Sequence, residues 1–266
     1  MNSGTVSISN LTSEDKTFLI HKNSLMSLES YQLTPSDKRD VFQAHREKLG
    51  DSFGFDWHKM FMADQENKDG SFFEITQDYV DAFPNGWSDI PEDILIVTDK
   101  VPGVVIGHPV ADCPVVMMCD LKKGAVAVGH CSAEMINKHL PVHIFDALRE
   151  SFDARAEDIV AYVGACAGKD WTYDCYPKWA TDESVWDGAI FEKDGLYYID
   201  LSIALDQQLS SCGISAVTYN PNNTRTCPMY YSNSMFLTHP QKYGRHFEGV
   251  FFDMPKDKKR KQKTIR

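Results

Sequence analysis

The sequence predicts a mixed α/β fold, a layered sandwich of mixed β-sheets covered by helices. Short runs of β-branched and apolar residues, bounded by Gly, Pro and Asp, crowd the middle of the chain, and two later stretches repeat apolar residues at helical spacing. Because the short runs are apolar at consecutive positions, we expect strands that are covered on both faces. The order of strands and helices favours helices packed on a large sheet or on a pair of sheets.

Nine segments are predicted strands because they are short and rich in β-branched or aromatic residues. They are residues 57–62, 71–75, 92–99, 103–107, 114–120, 124–130, 159–165, 196–200 and 214–220. The stretches between them contain the Gly, Pro, Asp and Asn residues that are typical of turns.

Three segments are predicted helices because their apolar residues recur every three or four positions. They are residues 36–49, 132–152 and 201–212. Gly50 and Gly213 follow the first and the last of them, where a helix commonly ends, and Ser132 is the expected N-cap of the middle one. Because proline clashes with the preceding turn, the middle helix should kink near Leu140 or begin afresh at Pro141.

Composition and charge limit the classes of protein to which this chain can belong. The 266 residues are 42% apolar and 24% charged, which is ordinary for a globular chain. We expect a polar extension over 1–30, one domain over 31–254 and a basic disordered tail over 255–266. From residue 256 the tail carries a net charge of +6 and the rest of the chain −17. So acidic a body repels polyanions, and nucleic acid is not expected as a ligand unless the tail alone recruits it.

The sequence favours a cytoplasmic protein without a membrane partner. It shows no apolar run long enough to span a bilayer and no signal peptide. Its seven cysteines are an odd number without CxxC spacing, so a disulfide framework is not indicated. Most of them are expected to be buried thiols, which leaves one or two as a nucleophile or a metal ligand. The expected partner is a small-molecule substrate, and the oligomeric state is left open.

Cys113 and His130 are the strongest candidates for chemistry. If strands 114–120 and 124–130 are neighbours joined by a short loop, the start of one lies beside the end of the other, and the thiol meets the imidazole. Such a pair can serve as nucleophile and base, or as two ligands of a zinc site. A helix beginning after His130 should lower the pKa of a nearby thiol. Asp112 either orients the pair or, as its position favours, bonds its own turn.

Four stretches of the chain resemble the YfiH-type family, also described as multicopper polyphenol oxidase or laccase-domain proteins. They are LIVTDKVPGVVIGHPVADCPVVMMCD, GAVAVGHCSAEM, DIVAYVGACAG and YYIDLSIALDQQLSSCGI. The second aligns with a His-Ala-Gly-Trp-Arg-Gly motif of the family, and the similarity covers residues 35–236. The resemblance implies a YfiH-like fold. It also carries two members of the family's His–Cys–His metal site onto Cys113 and His130.

The chain departs from that family where the third ligand belongs. Asn67 stands at the histidine of a Gln-x-His-Gly motif, and an amide oxygen is a poor zinc ligand beside thiolate and imidazole. Metal affinity should therefore fall unless His58, His108 or Asp69 replaces it, so a weakened zinc site and no cofactor both stay open. The basic residues that the family places after the second histidine and near its C-terminal end are also missing.

Three functions remain open from the sequence. The resemblance implies an enzyme acting on purine nucleosides or related small molecules, by phosphorolysis or deamination, with a Cys–His centre. The alternatives are a metal-free cysteine hydrolase or deamidase that uses the same dyad, and a binding protein without turnover. Copper oxidase chemistry is not expected, because the nine histidines include no His-x-His pair. The candidate substrate-binding residues are Asn67, Trp171, Tyr173 and Tyr230.

Overall fold

The computed structural model describes residues 5–7, 18–26, 43–44, 46–51, 55–86, 90–235, 238–239 and 244–252. Its strands in chain order are β1 (Thr5–Ser7), β2 (Phe18–Met26), β3 (Met60–Phe61), β4 (Phe72–Ile75), β5 (Ile94–Thr98), β6 (Val105–Val110), β7 (Val115–Asp120), β8 (Ala125–His130), β9 (Ile159–Val163), β10 (Trp171–Tyr173), β11 (Ile190–Lys193), β12 (Leu196–Ile199), β13 (Ala216–Tyr219) and β14 (Arg245–Phe252). Its helices are α1 (Gln77–Ala82), α2 (Ala133–Asn137), α3 (Leu140–Phe152), α4 (Glu183–Trp186) and α5 (Leu201–Ser211). Residues 43–44 and 46–51 are helical as well.

The strands form three sheets. The largest has the order β13-β9-β7-β8-β5-β4, the second the order β1-β2-β14-β6-β3, and the smallest the order β10-β12-β11. Parallel and antiparallel pairs occur in both of the larger sheets. The predicted class, a layered sandwich of mixed sheets with helices, is confirmed.

The central strands are buried on both faces because their alternate residues enter two different cores. Ile94 and Ile96 of β5 belong to the core beneath helices α3 and α5. Leu95 and Val97 belong to the core between the two larger sheets, which also contains Val250 of β14. This two-sided burial explains why these strands are apolar at consecutive positions, as the sequence analysis expected.

The middle helix is two helices rather than one. His139 has a left-handed backbone (φ 60°) between α2 and α3, and Pro141 lies in the first turn of α3, where its missing N–H is not needed. Ser132 caps α2 by accepting the Met135 N–H. The helix therefore begins afresh near Pro141, one of the two outcomes that the proline allowed.

Several elements were not predicted. The expected strand at 57–62 is reduced to β3, because the Asp56 side chain accepts the His58 N–H and caps a 3-10 turn at Trp57–Lys59. Strands β1, β2, β10, β11 and β14 carry no clear period of two in their sequences, so the pattern did not reveal them. β2 pairs along the whole of β14 although residues 1–30 were expected to be an extension. The tail at 255–266 lies outside the described residues, and none of the described helices is long and apolar enough to cross a membrane.

Candidate functional site

The candidate site lies where β7 begins and β8 ends. Val115 of β7 pairs with His130 of β8, and the Cys131 N–H donates to the Pro114 carbonyl just beyond the ladder (2.9 Å). Cys113 precedes this end of β7, as the neighbouring-strand argument expected. The contact between the Cys113 thiol and the His130 ring remains a prediction.

Gln65 fixes the tautomer of His130. Its amide nitrogen donates to the His130 carbonyl oxygen (3.1 Å), so its oxygen Oε1 faces the ring nitrogen Nδ1 of His130 (2.7 Å). The hydrogen bonds therefore assign the proton to Nδ1 and leave the lone pair on Nε2. Among the residues that the structure describes, buried Nε2 has no hydrogen-bond partner. Burial, helped by the charge of Arg245, lowers the pKa of His130 to about 4, so the imidazole is neutral.

Cys113 is held as a thiol. Burial and the nearby Asp112 carboxylate raise its pKa to about 12, and they outweigh the Arg245 charge and the Ala133 N–H, which act in the opposite direction. The start of the helix lowers this pKa, as expected, but burial outweighs the effect and the thiol is not activated. One N–H from the short helix α2 offsets only part of the cost of removing a thiolate from water.

Asp112 joins two distant loops to the Cys113 turn. Its carboxylate accepts the Thr224 hydroxyl and the Ser234 N–H, each at 2.6 Å. Its backbone has a positive φ of 77°, which is uncommon outside glycine. The carboxylate thus bonds to these two loops, whereas the sequence analysis had favoured a bond within its own turn.

Asn67 is exposed and takes part in holding its own loop. Its side-chain amide donates to the Ser71 hydroxyl (3.1 Å), while the buried carboxylate of Asp93 accepts the N–H groups of Lys68, Asp69 and Gly70. The residue of this loop that contacts His130 is Gln65, two positions earlier.

Of the residues proposed to replace the third ligand, His108 is placed beside His130. Their ring centroids lie 5.9 Å apart, His108 is 2% exposed, and burial lowers its pKa to about 3. His58 instead pairs with Asp56 and stacks on Trp57. His108 therefore adds a second neutral imidazole next to the candidate site.

The aromatic candidates separate into two environments. Trp171 and Tyr173 of β10 are half-buried and pack with Trp179. Tyr230 is buried, meets the ring of His246 edge-on at 4.9 Å, and its hydroxyl accepts from the Asn220 side chain. Trp171 and Tyr173 can still contribute to a ligand surface, whereas the ring of Tyr230 is part of the interior.

Three residues near the site were missed by the sequence analysis, namely Gln65, Arg245 and Glu248. Gln65 was considered only as a marker of the Asn67 motif. Arg245 brings positive charge to both Cys113 and His130, where the sequence suggested that basic residues were missing. Glu248 is a carboxylate buried in β14. No local signal marks these residues, because each reaches the site through strand pairing or a long-range contact.

The residues fit a metal only in part. His130 offers a buried Nε2 lone pair, and its Nδ1 is fixed by Gln65 in the way that metal-bound histidines are commonly oriented. However, no three His, Cys, Asp or Glu side chains of the described residues are gathered as a metal site. If zinc binds, Cys113 and His130 would hold it, and the ion would supply a Lewis acid. These two ligands are fewer than the four of a closed zinc site.

We predict that Asn67→His raises the zinc affinity about 100-fold, because residue 67 lies on the same loop as Gln65, which contacts His130. Structural sites with four ligands bind zinc with a free energy of about 10–16 kcal/mol, which is about 3 kcal/mol for each ligand. A free energy of that size corresponds to roughly a 100-fold change in affinity. Titration against a competing chelator measures the change, and Cys113→Ala in the same background should cancel the gain. An unchanged affinity would show that position 67 does not face the site.

The comparisons with known proteins agree with this architecture. A family model described as multi-copper polyphenol oxidoreductase laccase matches residues 23–253. The solved structure of YlmD from Geobacillus stearothermophilus is similar with a TM-score of 0.74 and 15% identity, covering 96% of this chain and 98% of the other. The chain matches no curated protein in sequence.

Two further solved structures share the fold. The Bacillus licheniformis hypothetical protein YfiH is similar with a TM-score of 0.68 and 16% identity, covering 91% of this chain and 97% of the other. A Neisseria meningitidis protein of the DUF152 family has a TM-score of 0.68 and 14% identity, with 94% and 99% covered. At these identities the likeness establishes a YfiH-like fold.

Proposed function

We propose, from the premise that the chain belongs to the multi-copper polyphenol oxidoreductase laccase family, that it is an enzyme acting on purine nucleosides or related small molecules by phosphorolysis or deamination. The observation that carries this proposal is the neutral ring of His130, whose buried Nε2 lone pair has no partner in the described part of the chain. An imidazole that is neutral at physiological pH and fixed in one tautomer keeps its Nε2 lone pair available for a proton from a substrate or from water.

The two reactions need different help from the same residues. In deamination, Nε2 of His130 takes a proton from water while the oxygen bonds to the ring carbon, and passes that proton to the amino group, so that the bond from the ring carbon to the amino nitrogen breaks and ammonia leaves. In phosphorolysis, a phosphate oxygen bonds to the sugar carbon, the bond to the purine nitrogen breaks, and its electron pair stays on the purine. The Arg245 charge then favours the anionic phosphate. The proposal thus assigns His130 the role of base and Arg245 that of the anion-binding residue.

The protonated Cys113 thiol argues against the metal-free cysteine hydrolase. A nucleophilic cysteine reacts as the thiolate, and burial raises the pKa of Cys113 to about 12, which disfavours that form. We therefore place Cys113 beside the reacting groups rather than as the attacking atom.

We also propose that the protein works in the cytoplasm on a small molecule. Cysteines such as Cys113 and the exposed Cys175 carry free thiols in the structure. Free thiols persist in reducing compartments, whereas secreted chains usually pair them.

The proposal is tested with the purified protein and a panel of adenosine, inosine and guanosine, with and without inorganic phosphate. Chromatography should show either free base with sugar phosphate, formed only when phosphate is present, or inosine and ammonia from adenosine without it. An acyl-amide substrate panel tests the hydrolase alternative in parallel. If no nucleoside is converted under either condition, the proposed function is wrong.

A further inference from the structure

We propose that Glu248 is a positioning residue of the Cys113 site, which fixes the loop of residues 164–168 against the Asp112–Cys113 turn. Glu248 belongs to β14 of the five-stranded sheet, and only 2% of it is exposed. Its oxygen Oε1 accepts the Ala165 N–H (2.9 Å), and Ala165 follows β9 of the six-stranded sheet. One buried carboxylate thus links the two sheets. This inference rests on the proposed function only in taking Cys113 to be part of the reactive centre.

The loop approaches Glu248 so closely that only glycine fits at position 164. A Cβ built on Gly164 would lie 1.6 Å from Oε2 of Glu248, and the three nearest atoms it would meet all belong to that side chain. The Gly164 N–H, on its other side, donates to the Val115 carbonyl at the start of β7 (2.9 Å). The backbone at 164 is therefore held between β14 and the strand that follows Cys113.

From this anchored point, hydrogen bonds lead to Asp112. The Ala167 N–H donates to the Asp112 carbonyl (2.8 Å), and the Cys166 carbonyl accepts the Thr224 N–H (3.0 Å). The Thr224 hydroxyl in turn donates to the Asp112 carboxylate. Loop 164–168 therefore holds the turn both directly and through Thr224, and Asp112 needs such support because its positive φ is costly for a side chain other than glycine.

The chemistry of Glu248 fits this positioning role. In the described residues Oε2 has no hydrogen-bond partner, and Nε2 of His246 lies 3.6 Å from Oε1. A buried carboxylate is costly when its oxygens are poorly paired. What it supplies is an acceptor for the Ala165 N–H, in a place where that N–H would otherwise be buried unpaired.

The alkylation rate of Cys113 tests this inference independently of turnover. The rate is measured at pH 8 with iodoacetamide and peptide mass spectrometry, in the wild type and in Glu248→Gln, Glu248→Asp and Glu248→Ala. Gln can still present an oxygen to Ala165, whereas Asp is too short and Ala has no acceptor. We expect a rate close to the wild type for Gln, and a rate at least 10-fold higher for Asp and Ala, because a loosened turn exposes the thiol to water.

The order of the variants decides the outcome. If Asp behaves like the wild type and Gln reacts fast, the charge and not the acceptor matters, and the inference is overturned. It is also overturned if Asp and Ala fold and react as the wild type does. Glu150→Ala, at an exposed position of α3, is the matched control and should change nothing. Should Glu248→Ala fail to fold, the Asp and Gln variants still decide.

Nucleoside turnover measured on the same samples separates this inference from the proposed function. If the alkylation rates follow the expected order while the wild type converts no nucleoside, the positioning role stands and the proposed function fails. If the wild type converts nucleosides but the alkylation rates do not follow the expected order, the proposed function stands and the positioning role fails.

Discussion

Gly164→Ala should destabilise the protein by about 3 kcal/mol or more, because its methyl group has no space. The added carbon would overlap Oε2 of Glu248 at 1.6 Å, far inside van der Waals contact. Overpacking a well-packed interior usually costs about 1–3 kcal/mol, and here the neighbour is a buried carboxylate that cannot swing into solvent. Since domains are stable by only about 5–15 kcal/mol, this one methyl group removes a large share. Urea unfolding measures the loss.

The companion variants identify the cause of that loss. Gly195→Ala is the control, because its φ of 77° disfavours alanine while a Cβ there would meet nothing within 4 Å. It should cost about 1 kcal/mol. Glu248→Ala combined with Gly164→Ala should recover part of the stability, because the clashing side chain is gone. A double variant as unstable as the sum of its single variants would show that the two side chains do not collide, since independent sites add.

The central sheet could be predicted from the sequence because burial on both faces leaves a local signal. Strands β5, β7 and β8 are apolar at consecutive positions, and their alternate residues divide between two cores. The same strands place Cys113 and His130 at one end of the sheet. That part of the candidate site followed from short-range pattern and strand pairing alone.

The residues that tune the site could not be predicted in this way. Gln65 reaches His130 over 65 positions, and Glu248 reaches Ala165 over 83. Such contacts depend on which sheets face each other, which one sequence does not reveal. The same limit explains why the sequence analysis expected the pKa of the Cys113 thiol to be lowered. The start of a helix is visible in sequence, but the burial that outweighs it is a property of the packed molecule.

The family description also has to be weighed against this chain's own side chains. It names copper chemistry, whereas the nine histidines of this chain include no His-x-His pair. What the site does contain is a neutral imidazole whose Nε2 has no partner among the described residues, a protonated thiol and the charge of Arg245. These are groups for proton transfer and anion binding, and they make His130 the residue whose loss should matter most.

His130→Asn should reduce the turnover of the nucleoside substrate by about 10²- to 10⁴-fold, the usual contribution of a general base. The amide that replaces the ring is too weakly basic to take a proton. His139→Asn is the matched control. His139 pairs with Asp182 at 3.0 Å and has a left-handed backbone, which asparagine tolerates well. Circular dichroism and thermal unfolding of both variants should show that each is folded.

The pH profile makes this prediction sharper. Because burial lowers the pKa of His130 to about 4, its basic form is fully present at pH 6 and is lost only as the pH falls toward 4. The kcat/KM of the wild type should therefore stay level between pH 6 and 7.5, whereas an ordinary histidine would lose its basic form near pH 6.5. A fall of kcat/KM with a midpoint near pH 6.5 would mean that His130 is not the acting base. Turnover within twofold of the wild type in His130→Asn would exclude His130 as the base altogether.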